Sequence, residues 1–250
     1  MSKVLHPFAA LTGAVRLFPL GDAAIVLEFG EGISAELHAA IAAFSAVLAA
    51  RPFPGLVEVV PAFTTLTVYY DPWLVSESGR HQPYEKVSET LRKLLPLASK
   101  AGFLEVGAVV EIPVCYGRAF GPDLDFVAAH TGLPMAEVIA RHAAPDYLVH
   151  MIGFAPGFPY LGGLDARLAT PRRPAPRALV PAGAVGIAGE QTGIYSLPTP
   201  GGWQLIGRTP LRLFNPAWEN PSRLAAGQHL RFRPINEADF AEIQQSEAAP

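Results

Sequence analysis

The sequence has one cysteine in 250 residues, Cys115, and four lysines, all of them before residue 101. A single cysteine excludes an intramolecular disulfide and suits a reducing compartment, so the cytoplasm is the expected location. Its apolar neighbours Val114 and Tyr116 predict a buried, inert thiol. Only 16% of residues are charged and the net charge is −3, which argues against nucleic acid or an anionic membrane as a general partner. No uninterrupted apolar run approaches the roughly 18 residues of a membrane span. The N-terminal apolar stretch, broken by His6, Pro7 and Thr12, makes a poor signal peptide. Familiar chemical motifs are missing too. There is no GxxxxGK(S/T) phosphate loop, no CxxC or HExxH metal pattern and no GxSxG elbow, and Ser196 and Ser222 have no histidine nearby. Gly183, Gly186 and Gly189 lack dinucleotide-fingerprint spacing and read as turns in a β-barrel. No bound metal is expected.

What is present is concentrated between Tyr147 and Pro216, which holds 11 of the 23 glycines and 10 of the 25 prolines. That density would suit a linker, but Phe154, Phe158, Tyr160, Val180, Val185, Ile187, Ile194, Tyr195, Trp203 and Leu205 supply apolar surface that disordered segments lack. The glycines and prolines therefore read as fixers of backbone geometry in a rigid, turn-rich fold. The same segment has six arginines, no lysine, and only Asp165 and Glu190 as acids. Arg172, Arg173 and Arg177 lie among Pro171, Pro174 and Pro176, which stiffen the loop that carries them. Guanidinium forks held in place suit carboxylates and phosphates, so an anion-binding surface is expected.

Taken in order, the chain reads as two domains. Arg16–Phe29 predicts a strand or hairpin turning at Gly21-Asp22; Ser34 caps a helix to Ala50 with Leu37, Ile41, Phe44 and Leu48 inward; Leu56–Asp71 reads as two strands broken near Pro61; and Tyr84–Leu95 reads as a second helix. This β-α-β-β-α pattern gives an α+β domain over residues 1–105, to which Ala108–Val114 is a candidate extra strand. Asp22 and Asp71 are assigned to turns and caps. Lysine usage changes around residues 103–107, where the boundary is placed. Val109–Tyr116 opens the second domain, Asp123 is the expected cap of a helix to His130, and Pro134 starts another through His142. Many short strands then follow, as in a closed barrel or sandwich, and the polar tail 237–250 is expected to fray.

Several ordered motifs resemble the family of KipI and the 5-oxoprolinase B subunits, also called allophanate hydrolase subunit 1. They are His142-x4-Tyr147-x-Val149, Gly153-Phe154-x-Pro156-Gly157-Phe158-x-Tyr160-Leu161-Gly162-Gly163, Pro171-Arg172, Pro176-Arg177, Val180-Pro181-Ala182-Gly183, Gly189-x-Gln191-Thr192-Gly193-Ile194-Tyr195 and Gly201-Gly202-Trp203-x-Leu205-Ile206-Gly207-Arg208-Thr209-Pro210. The resemblance spans residues 14–236; Ser196, Asn215 and Gln228 depart from the family's usual Pro, Asp and Asp. It implies a cyclophilin-like barrel over residues 106–236. It also implies an ATP-dependent amide hydrolase, inactive alone, in which the B subunit works with the C and A subunits to open 5-oxoproline to L-glutamate. ATP, with its magnesium, is expected on the partner. Together with the local chemistry, the resemblance singles out His142, Arg177 and Gln191 as catalytic candidates. Gly153, Phe154, Pro156, Gly157, Phe158, Arg172, Arg173, Tyr195, Gly201, Gly202, Trp203 and Arg208 are candidates for binding substrate or anion. His150 is read as structural. The alternatives are a KipI-like inhibitor of a histidine kinase, or a component associated with allophanate hydrolase or urea carboxylase; prolyl isomerisation rests on fold analogy alone.

Overall fold

The computed structural model describes residues 15–32, 34–98 and 108–248, and the chain divides into two compact units, residues 1–105 and 106–250. The boundary expected at 103–107 lies outside the described residues. In the first unit, β1 (Arg16–Pro19) and β2 (Ala24–Glu28) form an antiparallel hairpin whose turn places Gly21 at φ +61°. Ser34 caps α1 (Ala35–Ala50) by accepting the Leu37 amide at 3.2 Å. β3 (Leu56–Pro61) and β4 (Thr65–Tyr70) form a second hairpin. Asp71 then caps the short α2 (Pro72–Val75), and α3 (Pro83–Ala98) completes the unit. The strand order is β1-β2-β4-β3. Because β4 pairs antiparallel with both β2 and β3, the α1 crossover leaves β3 parallel to β2 with β4 between them. Leu37, Ile41, Phe44 and Leu48 of α1 and Val87, Leu91 and Leu95 of α3 are buried with Ile25, Leu27, Leu66 and Val68 of the sheet. This is an α+β unit with one apolar core.

The second unit is built on a closed seven-stranded barrel. Its strands are β5 (Val110–Tyr116), β6 (Tyr147–Ile152), β7 (Pro159–Gly162), β9 (Ala184–Ala188), β10 (Gln191–Ile194), β12 (Gln204–Arg208) and β13 (His229–Ile235), while β8 (Arg177–Val180) and β11 (Thr199–Gly201) form a separate two-stranded ribbon. The Val110 stretch, a candidate strand for the first domain, belongs instead to the barrel. β5 pairs with β12 on one side and runs parallel to β13 on the other, Leu230 to Ile235 lying opposite Val110 to Cys115. Only the barrel offers it partners on both edges. Cys115 is buried there, and desolvation raises its thiol pKa, with Glu237 adding to the effect.

α4 (Leu124–Thr131) and α5 (Met135–Ala143) follow β5, and Leu124, Val127 and Val138 join the barrel core with Ile112, Val149, Leu161, Ile187, Ile194 and Phe232. The tail expected to fray is α6 (Glu237–Ala248). Asn236 accepts the Asp239 amide at 2.9 Å at its start. Phe240 is buried against Phe120 at a centroid separation of 4.7 Å, and near the other end Glu247 holds Arg223 at 2.7 Å. A few anchored contacts replace the long apolar stripe that would have marked this helix in sequence. Among the described residues no helix is long and apolar enough to cross a membrane.

Gly121 sets how closely the chain before α4 can approach β12. A Cβ there would lie 1.9 Å from the Ile206 carbonyl oxygen, a contact that backbone cannot yield cheaply. Gly121→Ala is expected to destabilise the barrel unit by about 3 kcal/mol. Urea unfolding measures this; a cost under about 1 kcal/mol would mean that the loop can be displaced freely.

Candidate functional site

The barrel wall has two faces, and Gln191, Phe158, Tyr195 and Trp203 among the sequence-derived site residues lie on the outer one. Along β10, Thr192 and Ile194 point into the barrel core, so strand alternation places Gln191, Gly193 and Tyr195 on the opposite face. There Phe158, Tyr195, Trp203 and Leu205 form a second buried apolar cluster, with Tyr160 packed against it. The rings meet edge to face: Phe158 lies 5.3 Å from Tyr195 and 5.5 Å from Trp203, at interplanar angles of 84° and 88°. Gly186 and Gly193 are paired opposite each other beneath Trp203, and a Cβ on either would come within 3.1 Å of its side chain. These glycines leave bare backbone for the indole. Gly201 does the same for Tyr195, whose hydroxyl would lie 2.2 Å from a Cβ there.

The Gly153–Phe158 loop rims this cluster. The amides of Gly153, Ala155 and Phe158 are spent on carbonyls within the loop, at 3.1, 2.8 and 3.0 Å, so they do not form the open amide cradle its composition suggests. What the loop presents is the Phe154 ring, 63% exposed and 5.4 Å from Phe158, on a residue at φ +66°. A non-glycine residue there stores strain of the order of 1 kcal/mol. Phe154→Asn, which tolerates that backbone, should leave stability unchanged or raise it by up to about 1 kcal/mol, whereas Phe154→Val should lower it. Urea midpoints of the two variants decide this, and equal losses in both would remove the strain.

The three departures from the family pattern are explained locally. Asn215 and Gln228 accept the nearby Ala217 and Ala225 amides at 3.0 Å, as turn residues do. Ser196 reaches further, donating to the Pro156 carbonyl at 2.6 Å and tethering the signature loop to the end of β10.

The arginines are compensated in a way the segment's composition did not reveal. The acid comes from outside it. Asp123, expected as a helix cap, makes no side-chain cap bond. Its Oδ1 accepts from Arg177 Nη2 at 2.7 Å and Arg173 Nη1 at 3.1 Å, and its Oδ2 accepts the Leu205 amide at 2.7 Å. The arginine loop is held to the ribbon as well: the Arg173 amide donates to Gly202 O at 2.7 Å, and Arg177 pairs across the ribbon with Gly201. Arg167 pairs with Asp165 at 2.7 Å. Arg172 is exposed, and among the described residues no ion pair reaches it. Burial raises the pKa of Tyr160 and Tyr195, while Arg172 opposes the rise at both and Arg177 at Tyr195. Positive charge therefore sits beside the aromatic cluster.

Two candidates stand apart. Arg208 donates to the Ala182 carbonyl at 2.9 Å, and its guanidinium lies 6.0 Å from the Phe240 ring of α6. His142 is fully buried, stacked on Phe232 at 4.5 Å. Thr192 spends its proton on Gly186 O, so His142 Nε2 donates to Thr192 at 2.9 Å, and Nδ1 accepts from Tyr116 at 2.8 Å. Both ring nitrogens are engaged, and burial lowers its pKa to about 3. This is a neutral imidazole sealed from solvent in the framework. Sequence reasoning missed Asp123, Thr192 and Tyr160. Only Thr192 and Tyr160 carried a signal, as members of the quoted motifs.

Residues 15–224 match the family model for the carboxyltransferase domain, subdomains C and D. The chain belongs to that family. It is 47% identical over 234 residues to the 5-oxoprolinase B subunit of Bacillus subtilis, covering 92% of this chain and 97% of the relative. It is 41% identical to the 5-oxoprolinase B subunit of Escherichia coli O157:H7, over 89% of this chain and 97% of the relative. Among solved structures, TTHA0988 superposes with a TM-score of 0.71 at 39% identity, over 89% of this chain but 41% of that one. This carboxyltransferase-family chain thus spans nearly all of those two relatives and about two fifths of TTHA0988.

Proposed function

We propose that this chain is the B subunit of an ATP-dependent 5-oxoprolinase and acts with the C and A subunits to open 5-oxoproline to L-glutamate. The observation that carries this reading is the 47% identity to a 5-oxoprolinase B subunit over nearly the whole of both chains. The chemistry is consistent with it. An unstrained lactam is a poor electrophile; transfer of the γ-phosphoryl group of ATP to its amide oxygen, with release of ADP, would activate the ring carbon. Water would add there, the ring C–N bond would break as nitrogen takes a proton, and a second water would release the phosphate to leave L-glutamate. The lactam's carboxylate and the phosphates of ATP are both ligands that guanidinium forks accept. We assign anion handling to Arg172, Arg173 and Arg177, with Tyr195 near them, and assign Gln191 and the Phe154 loop to the same substrate-binding role. His142 is assigned to the framework, and Arg208 to the seat of α6. We place ATP, with its magnesium, on the partner subunit.

Co-expression with the C and A subunits tests the reading. ATP-dependent glutamate release from 5-oxoproline is expected of the complex and none of the isolated chain. Turnover by the isolated chain at the rate of the complex would contradict the division of labour. A complete complex inert toward 5-oxoproline but active on allophanate would move the substrate, and inhibition of a histidine kinase without turnover would replace the enzyme reading altogether.

A further inference from the structure

Asp123 is joined to the barrel at two points. Its amide donates to the Leu205 carbonyl at 2.8 Å, and its carboxylate accepts the Leu205 amide at 2.7 Å, so its side chain is fixed by strand β12 and not spent on capping its own helix. From that mount one buried carboxylate oxygen holds two guanidinium groups that lie 50 and 54 residues along the chain. The trio carries one net positive charge, and Arg172 adds a second. Nε of Arg173 and Nη1 of Arg177 are buried and make no hydrogen bond. An arginine pair that merely braced the ribbon would find acceptors for these donors, since unmet buried donors are costly. The arrangement keeps its charge and sacrifices donors to hold both guanidinium groups in one place.

We infer that Asp123 is a positioning residue, which preorganises Arg173 and Arg177 beside the exposed Arg172 to receive one oxyanion, a carboxylate or a phosphate. The ligand class deepens the 5-oxoprolinase reading, but the binding does not depend on turnover. Asn at 123 keeps the shape and an acceptor for the Leu205 amide and removes the charge that gathers the two arginines.

Calorimetric titration of the isolated chain with 5-oxoproline and, separately, inorganic phosphate tests the site, and the preferred ligand identifies the source of the oxyanion. Asp123→Asn is expected to weaken the preferred ligand about tenfold or more. In the assembled complex it should raise KM for the matching substrate by a similar factor while changing kcat less than about threefold. If Asp123→Asn does not fold, Arg177→Lys, which retains the ion pair but loses the planar fork, should weaken the same ligand by about tenfold. Wild-type chain that binds neither anion, or folded variants that bind as the wild type does, would overturn the inference. An inactive wild-type complex in which this chain still binds an oxyanion through Asp123 would overturn only the 5-oxoprolinase reading.

Discussion

Acidification from pH 6.5 to pH 4 should cost this protein several kilocalories per mole of stability, most of it through His142. In the unfolded chain a histidine titrates near the ordinary value of 6.5, whereas the folded environment lowers His142 to about 3. Its folded pKa is depressed, so its contribution is complete above about pH 6.5 and is lost as pH falls toward 3, where the unfolded chain alone takes up the proton. At about 1.4 kcal/mol per unit, roughly 2 kcal/mol is lost by pH 5 and on the order of 4 kcal/mol toward pH 3. The groups facing the ring are the hydroxyls of Tyr116 and Thr192 and the rings of Tyr147 and Phe232, none of which can neutralise an imidazolium. His150, whose pKa burial also lowers, contributes in the same direction. Urea unfolding at pH 7, 6, 5 and 4 should give a falling stability in the wild type and a distinctly flatter profile in His142→Gln, which retains a donor and an acceptor. Equal slopes would show that the imidazole is not the group responsible.

Removing the Asp123 carboxylate should be nearly as costly. Asp123→Ala leaves the Leu205 amide without its acceptor and two arginines without their shared counter-charge, at a site where the acid's side chain is 6% exposed. Loss of one partner from such a buried pair costs about 3–5 kcal/mol. The cost falls on the mutant because the remaining charge has no counterpart, so removing Arg177 as well should restore about 1 kcal/mol or more. The two single variants and the double variant, unfolded in urea at pH 7, close the cycle; strict additivity would mean that the 2.7 Å contact is energetically silent. Arg177→Ala by itself should therefore lower stability and anion handling together, because its guanidinium is part of the structure that holds the loop. The segment's own composition, six arginines to two acids, predicts a loss of function alone, since it cannot include an acid that lies upstream.

The features legible in the sequence were those written in neighbouring residues. The Gly21 turn, the Ser34 cap and the 37-41-44-48 stripe each need only a few adjacent positions, and each appears in the fold where the local pattern places it. Dense glycine and proline with interleaved aromatics also announced an ordered, turn-rich segment of short strands, because backbone geometry and apolar burial are local demands. The ordered motifs from His142 to Pro210 were enough to indicate the family. Tertiary structure alone decided which face of the wall each motif residue occupies. His142 and Gln191 belong to equally recognisable motifs, yet one is sealed in the core and the other stands on the outer face of β10. It also decided that β5 closes the barrel against β13, that Phe240 and Glu247 hold α6 in place, and that Asp123 compensates Arg173 and Arg177. The physical reason is common to all three. Each is a contact between single positions far apart in the chain, without periodicity or spacing to mark it, and it becomes definite only when the fold brings the two ends together.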